Sequence, residues 1–225
     1  MQSAQARTPA WGLRLPKPCR SLCAAVPFSV LVLFASSVAQ SADVVRVEED
    51  WELVLDVVSE AKQAPQFETL MSPFHYNDEL TVFFCRVTWN YRELPSYAPG
   101  GFQLQTCIGD LVLSQKGYEG EPFSTAGETV TWTQQLESSA DRAFFKIKNG
   151  QSTTWGAFGG SDLQLDEYPH PPNLNNYTPD VSVSKSGITY GANRVISLRI
   201  KAIRRYGPGG ELLSVDSTPR VVHQR

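Results

Sequence analysis

Beyond residue 43 the chain alternates between apolar and polar positions with period two, the spacing of half-buried strands. Val45, Val47, Trp51, Leu53 and Leu55 share one parity, while Arg46, Glu48, Asp50, Glu52 and Asp56 share the other. That stretch predicts a strand with one buried face, divided by a bulge. Val57 to Gln66 is polar and accommodates at most a helical turn, limited by Pro65. A second strand runs from Leu80 to Tyr91, with Phe83, Cys85, Val87, Trp89 and Tyr91 on one face. Tyr97 to Gly101 is turn chemistry. Phe102–Cys107 and Leu111–Ser114 then read as a hairpin around Ile108-Gly109-Asp110. Cys107 is out of step there, sharing parity with Gln103 and Gln105 instead of Phe102 and Leu104. A bulge or a bridge near the strand end would resolve the mismatch.

Thr129 to Gln135 is a further β-branched and aromatic strand. After it comes the run Ala143-Phe144-Phe145-Lys146-Ile147-Lys148-Asn149-Gly150. Asn-Gly between two strand-like segments predicts a two-residue type I′ turn, whose central residues both need positive φ. Lys148 would then face Gln151, Ile147 face Ser152, Phe145 face Thr154 and Phe144 face Trp155. Ser161 to Asp180 holds four prolines and three asparagines without a periodic element, and reads as a long loop. Arg194 to Arg204 closes the pattern, with Ile196, Leu198, Ile200 and Ala202 on one side and Ser197, Arg199 and Lys201 on the other. Gly207-Pro208-Gly209-Gly210 turns it into Glu211–Val215. Many short strands, Gly/Pro turns and no alternating helices predict an all-β antiparallel sandwich of one domain spanning residues 43–225.

Residues 1–42 differ in kind. They carry Arg7, Arg14, Lys17 and Arg20 and no acid, then an apolar run from Leu22 to Val38 and small residues. This order predicts a secretory signal peptide, cut after Ala39 or after Ala42, and a secreted or periplasmic product. The apolar run is short for a membrane span. Without residues 1–42, 16 bases face 23 acids, a net charge of −7. That balance argues against non-specific binding to nucleic acid or anionic lipid. Cys85 and Cys107 are the two cysteines that remain, so an oxidising compartment predicts a disulfide between them.

The curved first strand, the run Gly100-Gly101-Phe102-Gln103-Leu104-Gln105, the Gly109-Asp110 hairpin and the Phe145-x-Ile147-x-Asn149-Gly150 segment together resemble concanavalin A-like or laminin G-like jelly rolls. The chain is also similar in general appearance to secreted bacterial proteins. An immunoglobulin sandwich fits less well, because Cys85 and Cys107 are too close in sequence. Fold alone does not set function in such a group.

Candidate chemistry is sparse. Glu48, Asp50 and Glu52 lie on one strand parity, as do the acids of the Glu-x-Asp-x-Glu motif in a glycosidase family of jelly-roll fold. This resemblance implies a polysaccharide-cleaving enzyme, against the plainer reading of a solvated strand face. His75, His170 and His223 stand far apart without metal-ligand spacing. Asp162, Asp166, Glu167, Asn173, Asn175 and Asn176 offer oxygen donors of the kind calcium takes, again without a recognised spacing, so no cofactor is expected. Asn176-Tyr177-Thr178 is a glycosylation sequon in a host that modifies exported proteins. Among the aromatics, Trp51, Trp89 and Trp132 belong to apolar parities and predict core. Phe144, Lys146 and Trp155 predict a ligand surface in which an aromatic platform stands among polar donors, the chemistry of sugar recognition. The functional expectation is therefore a secreted, non-catalytic binding or surface-associated module for a glycan or extracellular protein. The enzyme reading and a structural envelope or matrix protein are its alternatives.

Overall fold

The computed structural model describes residues 43–56, 65–74, 83–89, 101–121, 123, 125, 127–166 and 171–225. The predicted signal peptide, the 57–64 passage, the Tyr97–Gly100 turn, His75 and His170 lie outside them. The described residues belong to one compact unit, Gln40–Arg225.

The chain forms an all-β sandwich of two antiparallel sheets. The strands are β1 (Arg46–Leu55), β2 (Gln66–Met71), β3 (Phe83–Trp89), β4 (Gly101–Ile108), β5 (Leu111–Glu119), β6 (Thr129–Ser138) and β7 (Ala143–Ser152), followed by β8 (Gly156–Phe158), β9 (Gln164–Leu165), β10 (Gly187–Tyr190), β11 (Val195–Tyr206), β12 (Leu212–Asp216) and β13 (Arg220–Gln224). A short α-helix, α1, covers Asp180–Lys185. The eight-stranded sheet runs β12-β11-β1-β6-β7-β8, with β13 also on β11 and β9 also on β7. The five-stranded sheet runs β10-β2-β3-β4-β5. Between them lies one aromatic-rich core. Trp51 stacks on Trp132 at 5.9 Å, Trp132 meets Trp89 at 4.6 Å, and Trp89 stacks on Phe67 at 5.1 Å. Burial of these large flat side chains supplies most of the drive for the two sheets to pack.

Several sequence expectations hold. Trp51, Trp89 and Trp132 are core. Ile108 pairs with Leu111 across Gly109-Asp110, with Gly109 at φ 55°. β11 and β12 form the hairpin around Gly207–Gly210. The bulges that disturb the first strand are on its neighbour. β1 itself is continuous, whereas Ile196 and Lys201 are extra residues in β11. Those insertions reset the parity of β11. Ile196 is exposed, and Ile203 is buried in place of Ala202.

The Asn149-Gly150 hairpin does not form. β7 runs straight through it, and Asn149 and Gly150 together oppose one residue of β6, between the pairs Thr133↔Lys148 and Thr131↔Gln151. The pair is a β-bulge with Asn149 at φ 53°. The local chemistry was right in demanding positive φ, but a bulge needs it at one residue and an I′ turn at two. The turn comes later, at Thr153-Thr154-Trp155, where Ser152 pairs with Gly156. It is fixed by Glu128, a buried carboxylate that accepts from Ser152 Oγ, from Thr154 N at 2.8 Å and from Thr154 Oγ1 at 2.6 Å. A local signal lost to a tertiary anchor.

The Cys85–Cys107 disulfide is likewise corrected. Both cysteines are free and buried. Cys85 opposes Thr106 and Cys107 opposes Phe84, so alternation sends the two thiols to opposite faces of the five-stranded sheet. Cys85 joins the main core, whereas Cys107 packs with Leu70, Phe84 and Val181 of α1 on the outside. A disulfide needs its Cβ atoms facing each other at about 3.5–4.5 Å. Burial pushes both thiols above their ordinary pKa, so neither is a ready thiolate. Iodoacetamide should therefore label Cys85 and Cys107 on unfolding without prior reductant. Labelling that required a reductant would restore the bridge.

Candidate functional site

β1 is a central strand of the eight-stranded sheet, and its outward parity is almost entirely charged. Glu48, Asp50 and Glu52 project from one face, as the sequence pattern implied. Pairing surrounds them with Arg199, Lys201, Arg204 and Tyr206 from β11 on one side. Thr131, Thr133 and Gln135 of β6 lie on the other side. Lys146 and Lys148 follow from β7.

The carboxylates are closely held. Glu48, only 3% exposed, accepts from Lys148 Nζ, lies 3.3 Å from Arg46 Nε, and takes the Tyr206 hydroxyl and Arg204 at 3.2 Å. Arg46 in turn lies 3.9 Å over the Tyr206 ring, a cation–π contact that orders the margin. Asp50 Oδ1 accepts from Thr133 Oγ1 at 2.8 Å and from Arg204 at 2.6 Å. Glu52 accepts from Arg199 Nε at 2.8 Å and pairs with Lys201 at 3.2 Å. Partial burial would raise Glu52, but Arg199 and Lys201 outweigh it and hold its carboxyl below the ordinary range. Above Asp50 the side chains leave a hollow of about 450 Å³, bordered by Asp50, Thr131, Thr133, Asn149, Lys201 and Arg204. The Lys201 bulge and the Asn149 bulge stand on opposite sides of it. Bulges re-aim side chains, and here two of them deliver a cation and an amide to one place.

The aromatic platform expected from Phe144, Lys146 and Trp155 does not assemble. Phe144 and Lys146 lie on the outward parity of β7, opposite Glu137 and Gln135. Trp155 sits at the other end of the strand and turns inward. Its ring meets Phe123 at 4.2 Å, Phe158 at 5.3 Å and Tyr118 at 5.7 Å, and stacks with Trp89 at 6.0 Å. Its Nε1 donates to the Glu121 carbonyl at 2.6 Å. The assumed pairing with Phe144 depended on the two-residue turn and disappears with it.

Within the proline-rich segment, residues 173–177 pack beside the start of β1. Leu174 and Tyr177 are buried in the core, and Asn175 accepts from Val44 N at 2.7 Å while donating to Asp43 at 3.1 Å. Asn176 is exposed beside the buried Tyr177. Asp162 and Asp166 are exposed, and Asn173 Oδ1 accepts from Asn175 N. Glu167 lies outside the described residues. Among the described residues no group of three or more His, Cys, Asp or Glu side chains is placed to hold a metal ion.

One residue escaped the sequence reading. Glu49 shares its parity with Val47 and Trp51 and is completely buried. It accepts from the Tyr177 hydroxyl at 2.6 Å and from Trp51 Nε1 at 3.2 Å. Burial raises its pKa to about 7, against the lowering effect of those hydrogen bonds and of Ser182. An acid on an apolar parity was the available signal.

No family model, curated protein or solved structure matches the chain.

Proposed function

We propose that the chain is an exported binding module of the jelly-roll kind, and that it holds a glycan on the outer face of its eight-stranded sheet. The observation that carries this reading is the hollow over Asp50, where a carboxylate, an amide, two hydroxyls, a lysine and an arginine converge. Such a set offers donors and acceptors to several sugar hydroxyls at once, and rigid strands hold it in place. Export rests on the basic, apolar, small-residue order of residues 1–42. Binding at Asp50 is preferred to binding at Trp155, because the half-buried indole packs against the core and away from Phe144 and Lys146.

Two substitutions test the site. Asp50→Ala removes the central acceptor. Asn149→Gly removes the amide while keeping a residue that tolerates positive φ. Loss of a charged hydrogen-bonding group should weaken glycan binding by about tenfold or more. Screening the wild type on a polysaccharide array, then titrating both variants against the bound glycan, checks it. A folded wild type that retains no polysaccharide removes the proposal.

The second reading is a polysaccharide-cleaving enzyme that uses Glu48, Asp50 and Glu52, favoured by their shared face. A glycosidase needs one carboxyl kept protonated as general acid. Glu52 is shifted the other way, and cations enclose Glu48. This arrangement suits holding a ligand better than cleaving it. Release of reducing ends by the wild type, lost in Glu48→Gln or Glu52→Gln, would reverse the order of the two readings.

A further inference from the structure

The charges on the outer face are not balanced. Five cations, Arg46, Lys148, Arg199, Lys201 and Arg204, serve three acids, Glu48, Asp50 and Glu52. Lys146 extends the same outward row of β7, and Glu137, opposite Arg46, adds a fourth acid, so six cations face four acids. Elsewhere in residues 43–225 the sign is opposite, with ten bases against nineteen acids once those six and four are set aside. A patch of net positive charge has therefore been collected on one sheet face of an acidic chain. Ion pairing alone does not need the surplus, because four acids are neutralised by four cations. The surplus is also accessible. The side chains of Lys201 and Arg199 are 49% and 41% exposed at the margin of the patch. Lys201 also borders the hollow, and the extra residue of β11 puts it there.

We infer that the glycan taken by this face is anionic, a polysaccharide bearing carboxylates or sulfates, with Lys201, Arg199 and Lys146 meeting its charges while the Asp50 hollow holds its hydroxyls. This rests on the glycan-binding reading above. Arginine and lysine differ in what they offer such a chain. Arg199 presents a planar fork and Lys201 a point charge, both already shared with Glu52, while Lys146 is a point charge able to follow either anion. The acidity of the rest of the surface would repel a polyanion from other faces and orient its approach.

The experiment titrates the exported domain, residues 43–225, against alginate and polygalacturonate as carboxylate chains, a sulfated galactan, and a neutral mixed-linkage glucan. Each is measured in low and high salt. The expected result is binding of one or both acidic classes. Affinity should weaken about tenfold or more between 50 mM and 500 mM salt, because surface attraction is screened over that range. Lys201→Glu and Lys146→Glu should each reduce it by about tenfold at low salt. Both side chains are on the solvent side, so unchanged melting temperatures certify the fold, and Lys201→Ser provides a milder second variant. The carboxylate and sulfate arms identify the anion. Salt-independent binding of the neutral glucan would overturn this inference and leave the glycan module standing. Acidic binding untouched by all three variants would overturn the assignment to this face. Failure of folded wild type to bind any of the four would remove both.

Discussion

Replacing Glu49 by glutamine should flatten the pH dependence of stability between about pH 4.5 and 8, with a gain of about 3 kcal/mol over the wild type developing across that interval. The acid ionises with an ordinary pKa of 4.5 when exposed, and burial raises it to about 7 in the folded chain. The folded state therefore binds this proton more tightly than the unfolded state does. Its contribution to stability is complete below pH 4.5, falls as the unfolded chain ionises, and is lost once pH has risen through 7. Glutamine has the same shape and no charge. Its amide oxygen can accept from Trp51, and its NH₂ group can donate to the Tyr177 oxygen once that hydroxyl, which donates to the carboxyl in the wild type, turns away. Urea unfolding at four or five pH values measures the difference. Parallel curves for wild type and variant would mean that Glu49 titrates normally and is not enclosed. The consequence would be felt in the segment around Tyr177, since that hydroxyl is bonded to Glu49 at 2.6 Å.

The second large effect is at Trp155. Truncation to alanine should cost about 3 kcal/mol, the low end of the range for a large core aromatic, because the indole is only half-buried. The indole touches Trp89, Phe102, Tyr118, Phe123 and Phe158, and its Nε1 bond to Glu121 joins the β7–β8 turn to the end of β5. Trp155→Phe should recover a substantial part of the loss, because the ring contacts matter more than one partly exposed hydrogen bond. Thermal or denaturant unfolding reads this directly. A Trp155→Ala protein with wild-type stability would contradict the packing and return the indole to the list of ligand-binding candidates. The variant separates two sources of lost binding, for if glycan retention per folded molecule is unchanged, Trp155 acts through the fold alone.

Two of the corrected expectations have one cause. Asn149-Gly150 and the Cys85/Cys107 pair were both judged from local sequence, where a turn and a bridge are the common uses of those residues. Asn149 does adopt positive φ, at 53°. Whether that produces a turn or a bulge depends on β6 continuing beside it from Lys148 to Gln151. The cysteines are near neighbours in the sheet, but register sends them to opposite sides. The out-of-step parity of Cys107 was a real signal with a different explanation. Its side chain serves the small cluster under α1.

The net charge shows the same limit. A balance of −7 beyond residue 42 argues against polyanionic partners when the charges are averaged. Strand pairing does not average them, because β11 lies directly beside β1, and β7 one strand further on beyond β6, although the three are distant in sequence. Only their register brings Lys148, Arg199, Lys201 and Arg204 around the acids of β1.

By itself the sequence determined the sandwich class, the tryptophans of the core, the Gly109-Asp110 and Gly207–Gly210 hairpins and the common outward face of Glu48, Asp50 and Glu52. These follow from period-two alternation and turn chemistry, which act over a few residues. β2, β9, β10 and β13 were missed, being short segments of mixed polarity whose strand character depends on their neighbours. The tertiary structure alone decided the bulges at Ile196, Lys201 and Asn149, the inward turn of Trp155, the burial of Glu49 beneath Tyr177 and the cationic hollow over Asp50. Each depends on which strand lies beside which and in what register, a choice made by packing a whole core.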